Sequence, residues 1–266
     1  GDGQGQLVFL EGETGMGKSR LCRKFLAMCQ ADGGQSIFRR AQADADTRLR
    51  DPETGRLSDA SGAFSALPAA IPGKPSLFIV DDCHFLSREV CRTLVDAAAE
   101  AARAGWIVLF AGRHMPDIDH GGAETIRLLR QSAREIESLV RQALAPAEAS
   151  TPLVQSIAKD AAGVPLFAVE LARQPADGGI AMSLMLTIAA RVDGLRLDRK
   201  LLRTVARSSH PPTADEVAGV LGENNESVAP AVRRAVATGV LLADADGRLA
   251  FAHPLVRKII DHVSLE

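Results

Sequence analysis

No stretch of this chain approaches the roughly 18 consecutive apolar residues of a membrane-spanning helix, and no charged-then-apolar leader opens it. Neither sign of charge dominates. With 31 Lys and Arg against 33 Asp and Glu, the formal charge is −2, which gives no general reason to expect nucleic acid or an anionic membrane as partner, although a local patch can hide in a balanced total. The four cysteines (Cys22, Cys29, Cys83, Cys91) include no C-x-x-C pair, and no two histidines have zinc-site spacing, so neither a metal knuckle nor a redox pair is indicated. Buried, reduced thiols and a cytoplasmic location are expected. The chain lacks an initiator methionine, begins almost on an apolar run and ends in Leu265-Glu266; an excised piece of a longer protein, with its output domain elsewhere, is expected.

What is present is a globular composition, 46% hydrophobic and 24% charged over 266 residues, enough for two or three packed units. The most informative stretch is Leu7-Val-Phe-Leu-Glu-Gly-Glu-Thr-Gly-Met-Gly-Lys-Ser19, which matches G-x-x-x-x-G-K-[ST] through Gly12, Gly17, Lys18 and Ser19. It follows an apolar run and precedes a helical pattern (Leu21, Phe25, Leu26, Met28), the context such a phosphate-binding loop requires. Glycines allow backbone N–H groups to turn inward around a phosphate, and the helix N-terminus adds positive potential. Lys18 brings a point charge to the β/γ oxygens, and the Ser19 hydroxyl is a Mg²⁺ ligand. The loop residues Gly12, Glu13, Thr14, Gly15, Met16, Gly17, Lys18, Ser19 and Arg20 are therefore expected to border a nucleotide. The plain alternative is a glycine turn with an exposed lysine.

Further apolar runs at Ser36 to Phe38, Leu77 to Val80, Trp106 to Phe110 and the alternating Thr125 to Leu129 are separated by helical patterns, clearest at Lys18 to Cys29 and Arg88 to Ala104. Short buried strands between helices predict a parallel sheet covered on both faces, an α/β P-loop core over residues 1–131. The polar piece Asp44 to Asp59, with a Pro and a Gly inside it, predicts a mobile surface loop. From Ala133, helical periodicity (Ile136, Leu139, Val140, Leu144; Leu153, Val154, Ile157, Ala158; Leu166 to Ala172) predicts a helical lid over 132–179, broken at Gly163-Val-Pro165 and closed by a linker Gln174 to Gly179. The remainder, 180–266, reads as helices at Met182 to Val192, Asp198 to Arg207, one opened by a Thr213/Glu216 capping box, and Ser227 to Thr238. A hairpin (Gly239 to Leu242, Arg248 to Phe251) and a last helix from Pro254 follow, a winged-helix order.

Leu77-Phe-Ile-Val-Asp81-Asp82 is an apolar strand ending in two acids. Such a strand delivers its last side chains to the carboxyl edge of the sheet, where Asp81 is expected to hold Mg²⁺ and Asp82 to orient an attacking water; the alternative is that Asp82 caps the next helix, for which Ser87 is better placed. Arg113, after the strand at Trp106 to Phe110, reads either as a γ-phosphate sensor or as a solvated arginine. Lys18, Asp82 and Arg113 are the candidate catalytic residues, and Ser19 and Asp81 the candidate metal ligands. Residues alone favour a structural break for Gly163 and Pro165, and a lone histidine such as His253 is more often an ordinary core or surface residue.

Gly12 to Leu21, then Val80-Asp-Asp-Cys-His84, then Gly163-Val-Pro-Leu-Phe-Ala-Val-Glu-Leu171, then Phe251-Ala-His-Pro-Leu-Val-Arg257 resemble, in order, the AAA-related signal-transduction NTPases with numerous domains (the STAND class), as attached to LuxR- or MalT-type regulators and nucleotide cyclases. The resemblance implies a Mg²⁺-dependent ATP/ADP switch in a bacterial signalling or transcription regulator: ADP holds it closed, ATP and an inducer open it, self-association follows, and slow hydrolysis resets it. It further implies that Gly163 and Pro165 border the adenine and that His253 reaches the ADP β-phosphate. The segment between the second and third strands is shorter and more polar than that class shows, and the chain carries neither tetratricopeptide repeats nor a terminal helix-turn-helix. Three other readings compete. One is a DNA-binding AAA-type ATPase, against which stand 11 Lys/Arg to 10 Asp/Glu from Ala181 onward and only Arg233 and Arg234 on the candidate reading helix. The others are a small-molecule kinase and a non-hydrolysing nucleotide-binding module.

Overall fold

A computed structural model describes residues 5–42, 45–65, 67–113, 122–144, 150–173, 188, 192 and 195–262. The chain divides into two compact units, 1–129 and 130–266.

The first unit is a seven-stranded sheet in the order β4-β3-β2-β5-β6-β1-β7. Its strands are β1 (Gln6–Gly12), β2 (Gln35–Gln42), β3 (Ala45–Arg50), β4 (Leu57–Asp59), β5 (Ser76–Asp81), β6 (Ile107–Gly112) and β7 (Glu124–Leu128), with α1 (Lys18–Ala31) and α2 (Arg88–Arg103) as its helices. β2, β5, β6, β1 and β7 pair in parallel, as the five apolar runs predict. Because side chains alternate across a strand, each buried run feeds two cores. Phe9, Phe78, Val80, Val108 and Phe110 pack with Leu94, Ala98 and Trp106 on the α2 side, whereas Val8, Leu10, Ile79 and Leu109 pack with Cys22 and Cys29 on the α1 side. Ser87 caps α2, accepting from the Val90 N–H at 3.3 Å, as expected.

The sheet is mixed rather than wholly parallel, and the loop predicted at Asp44 to Asp59 is wrong in its described part. β3 pairs antiparallel with both β2 and β4. In Ala45-Asp-Thr-Arg-Leu-Arg50 the charges sit at alternate positions: Arg48 and Arg50 are exposed while Leu49 is wholly buried. One buried leucine fixes such a register, since a one-residue slip would turn Leu49 to solvent. The Pro and Gly that read as loop markers belong to the hairpin turn, where the Asp51 carboxylate accepts from the N–H groups of Glu53 (2.9 Å) and Thr54 (3.1 Å).

The second unit holds α3 (Ala133–Leu144), α4 (Thr151–Ala161), α5 (Pro165–Ala172), α6 (Arg199–Arg207), α7 (Ala214–Leu221) and α8 (Asn225–Ala237), then the antiparallel pair β8 (Leu241–Ala243) and β9 (Leu249–Phe251), then α9 (Pro254–His262). The Thr213 capping box is formed in both directions, at 2.7 and 3.3 Å. The linker expected at 174–179, and the helix expected over 182–192 except its residues 188 and 192, lie outside the described residues. At the α4–α5 break Gly163 has φ +81°, its carbonyl accepts from the Gln131 N–H, and a Cβ there would lie 2.8 Å from the Gln131 oxygen. Glycine is needed for that close approach.

Leu49→Ala is expected to cost about 2–5 kcal/mol, as for other buried leucines, whereas exposed Arg48→Ala should stay within about 0.5 kcal/mol. Chemical denaturation of the two variants checks whether β3 is a core strand or a loop.

Candidate functional site

β1 runs to Gly12, the chain turns through residues 13–17, and α1 begins at Lys18. Gly17 has φ +93° with nothing near its missing Cβ, so the backbone angle itself calls for glycine there. Met16 is buried, Thr14, Gly15 and Ser19 are half-buried, and Glu13 and Arg20 are exposed. Lys18 is only 7% exposed, an uncommon burial for an ammonium group. Its Nζ donates to the carbonyls of Gly12 and of Glu13 (2.8 Å), which holds the charge inside the turn of the loop.

Asp81, the last residue of β5, has no exposed surface. Its Oδ1 accepts from the Asp82 N–H at 3.0 Å, and its Oδ2 lies 3.0 Å from Nη2 of Arg40. Asp82 takes the left-handed conformation (φ 58°) and starts a 3-10 turn over Cys83–Phe85, without capping it through its side chain. That turn is anchored by the Cys83 thiol, which donates to the Ala111 carbonyl of β6 at 3.0 Å. Arg40 is absent from the sequence-predicted site. Its signal is the parallel β2–β5 register, which sets Arg40 opposite Asp81, and no reading of either segment alone contains that.

Cys22 lies one turn into α1. Burial pushes its thiol up to about 12, the Asp81 and Asp82 carboxylates push in the same direction, and Lys18 pulls against them. Only β6 separates β1 from β5, so about 10 Å lies between the strand that feeds the loop and the strand that ends in the acids. Arg113 follows β6 at the same edge, half-buried, its carbonyl accepting from the Gly12 N–H at 3.3 Å.

The residues suit Mg²⁺ with a nucleotide. Ser19 and Asp81 offer hard oxygen donors, and a buried carboxylate that already carries a cation against it is a place where positive charge is needed. Among the described residues no cluster of three His, Cys, Asp or Glu could hold a metal. Mg²⁺ taken up with nucleotide needs none, because phosphates and waters complete its shell.

Gly163, Pro165 and His253 come together within the second unit. His253 is 4% exposed, and its Nδ1 accepts from the Leu255 N–H at 3.1 Å. Nε2 therefore carries the hydrogen and donates to the Ala161 carbonyl at 3.1 Å, an assignment that follows from the partners. The ring lies 4.1 Å from that of Phe167, so the imidazole ties the start of α9 to both sides of the Gly163-Pro165 break.

No family model and no curated protein matches this sequence. Among solved structures, two variants of RuvB from Thermotoga maritima, each carrying a single substitution, match at 16% identity over 97% of this chain and 88% of theirs, with a TM-score of 0.53. A signal transduction ATPase with numerous domains and a tetratricopeptide repeat sensor from Pyrococcus horikoshii matches at 15% identity over 98% of this chain and 41% of its own, with a TM-score of 0.45. The chain shares its fold with these RuvB structures at low identity. No described helix is long and apolar enough to cross a membrane.

Burial holds Cys22 at about 12, Cys91 at about 11 and Cys29 and Cys83 above their ordinary value. The thiol, not the reactive thiolate, is therefore the form expected at neutral pH. Iodoacetamide at pH 7 to 9 should leave all four unmodified in the native protein, with full alkylation after unfolding, as read by intact mass.

Proposed function

We infer that this chain is an adenine-nucleotide-binding, Mg²⁺-dependent ATPase. The observation that carries the reading is the buried Lys18 held inside the glycine turn after β1, with wholly buried Asp81 ending β5 two strands away at the same edge of the sheet. In this reading the Lys18 ammonium exchanges a loop carbonyl for a phosphate oxygen, and residues 13–19 turn their N–H groups to the diphosphate. Asp81 and Ser19 hold Mg²⁺, which supplies charge neutralisation to the transferred phosphoryl group. Asp82, one residue beyond the strand and partly open to solvent, orients water and accepts its proton. Arg113 beside Gly12 is the candidate for stabilising charge on the leaving side.

Two finer readings differ in what the ATPase drives. A STAND-type switch rests on the motif resemblance, with Gly163, Pro165 and His253 forming the nucleotide-sensing part and an effector domain or self-association as output. An AAA-type ATPase that engages DNA through a winged helix draws more support from the comparisons, since the RuvB likeness spans both units and most of the other chain. The helices, the β8–β9 hairpin and the exposed Arg233, Arg234 and Arg248 are the elements such a reader would use.

Lys18→Ala should abolish binding of a fluorescent ADP analogue. Asp82→Asn should keep binding within a few-fold and lower ATP turnover by about 10²–10⁴; equal ATPase in wild type and both variants contradicts the assignment. Filter binding separates the finer readings: salt-sensitive retention of duplex DNA at low salt is expected of the DNA-engaging ATPase, and its absence leaves the switch.

A further inference from the structure

Arg40 stands where a divalent cation would have to work. It lies directly opposite Asp81 on the neighbouring parallel strand, and its Nη2 sits 3.0 Å from the Asp81 oxygen Oδ2. Its Nε is 3.6 Å from Oδ2 of Asp82, so one guanidinium charge spans two carboxylates. Asp81 has no exposed surface, whereas the Arg40 side chain is 31% exposed. Of the two partners, only the arginine has an open route away.

Nε of Arg40 is buried and makes no hydrogen bond among the described residues, so the clamp is complete on Asp81 and unfinished on Asp82. On the other side, Arg50 of β3 pairs directly with Arg40 across the antiparallel ladder, and like charges opposite one another on a sheet repel. Repulsion from the hairpin side biases the guanidinium toward the acids. Without some cation there, Asp81 would be an uncompensated buried charge.

We propose that Arg40 is the resting counter-cation of Asp81 and that it must release this carboxylate before Mg²⁺ can be held there, so that Arg40 sets the Mg²⁺ concentration at which nucleotide is loaded. The proposal rests on the assignment of Asp81 as the metal-side acid. A guanidinium and a divalent ion cannot share one carboxylate oxygen at contact distance, because they repel and each needs the same lone pairs. The two occupancies therefore exclude each other, and the released Arg40 side chain moves into solvent beside the phosphates.

The test uses Mg²⁺ alone, without nucleotide, on the whole chain. In EDTA, Arg40→Gln should melt below wild type; Mg²⁺ should raise its melting temperature while leaving wild type and Arg40→Gln/Asp81→Asn unmoved. In the presence of labelled ADP, the Mg²⁺ concentration giving half-maximal tightening should fall at least tenfold in Arg40→Gln. Should Arg40→Gln fail to fold, Arg40→Lys, which keeps the charge but cannot span both carboxylates, should shift the threshold in the same direction by less. An equal Mg²⁺ response in wild type and variant, or none in either, overturns the proposal. Absence of nucleotide binding by wild type, with the Mg²⁺ response of Arg40→Gln intact, sinks the ATPase reading and the loading threshold with it, and leaves standing the exclusion between Arg40 and Mg²⁺ at Asp81.

Discussion

A carboxylate with no exposed surface, at the end of a central strand, constrains everything around it. Asp81 is wholly buried, and its two oxygens are taken up by a guanidinium 3.0 Å away and by the N–H of the next residue. A second acid follows immediately, so the edge of the sheet concentrates negative charge that only cations can balance. Arg40 comes from one neighbouring strand; Lys18 comes from the loop beyond the other.

The topology explains why residues as distant in sequence as Lys18, Arg40 and Asp81 share this edge. Parallel strands all end on one side of a sheet, and the order β2-β5-β6-β1 brings their last residues into a row. Helices on both faces are what make such strands continuous apolar runs, so the hydrophobic pattern that builds the core also fixes where polar groups must emerge. The second unit uses its buried histidine differently. The His253 ring bonds to backbone through both nitrogens and packs tilted against Phe167, which gives the Phe-Ala-His-Pro segment a packing reason to be what it is, independent of any ligand.

Much of this was legible in the sequence, because it follows from local rules. The glycine loop, the acids that end β5, the cap at Ser87 and the capping box at Thr213 each depend on residues a few positions apart. The outer hairpin and the partner of Asp81 were not legible. β3 and β4 hide one buried leucine among charges, and a Pro-Gly-containing hairpin turn mimics a loop. Arg40 acquires its meaning only from the register of two strands, which sets it against an acid 41 residues away, a long-range pairing that neither segment announces. The like-charge pair of Arg40 and Arg50 depends on the missed hairpin as well.

The central claim is that a nucleotide diphosphate lodges in the loop before α1. Freshly purified protein, denatured and analysed by chromatography after loading with Mg²⁺ and ATP and removal of free nucleotide, measures that claim directly. About one equivalent of adenine nucleotide per chain, with ADP accumulating on standing, is the predicted result. Protein that retains none after the same loading would contradict it.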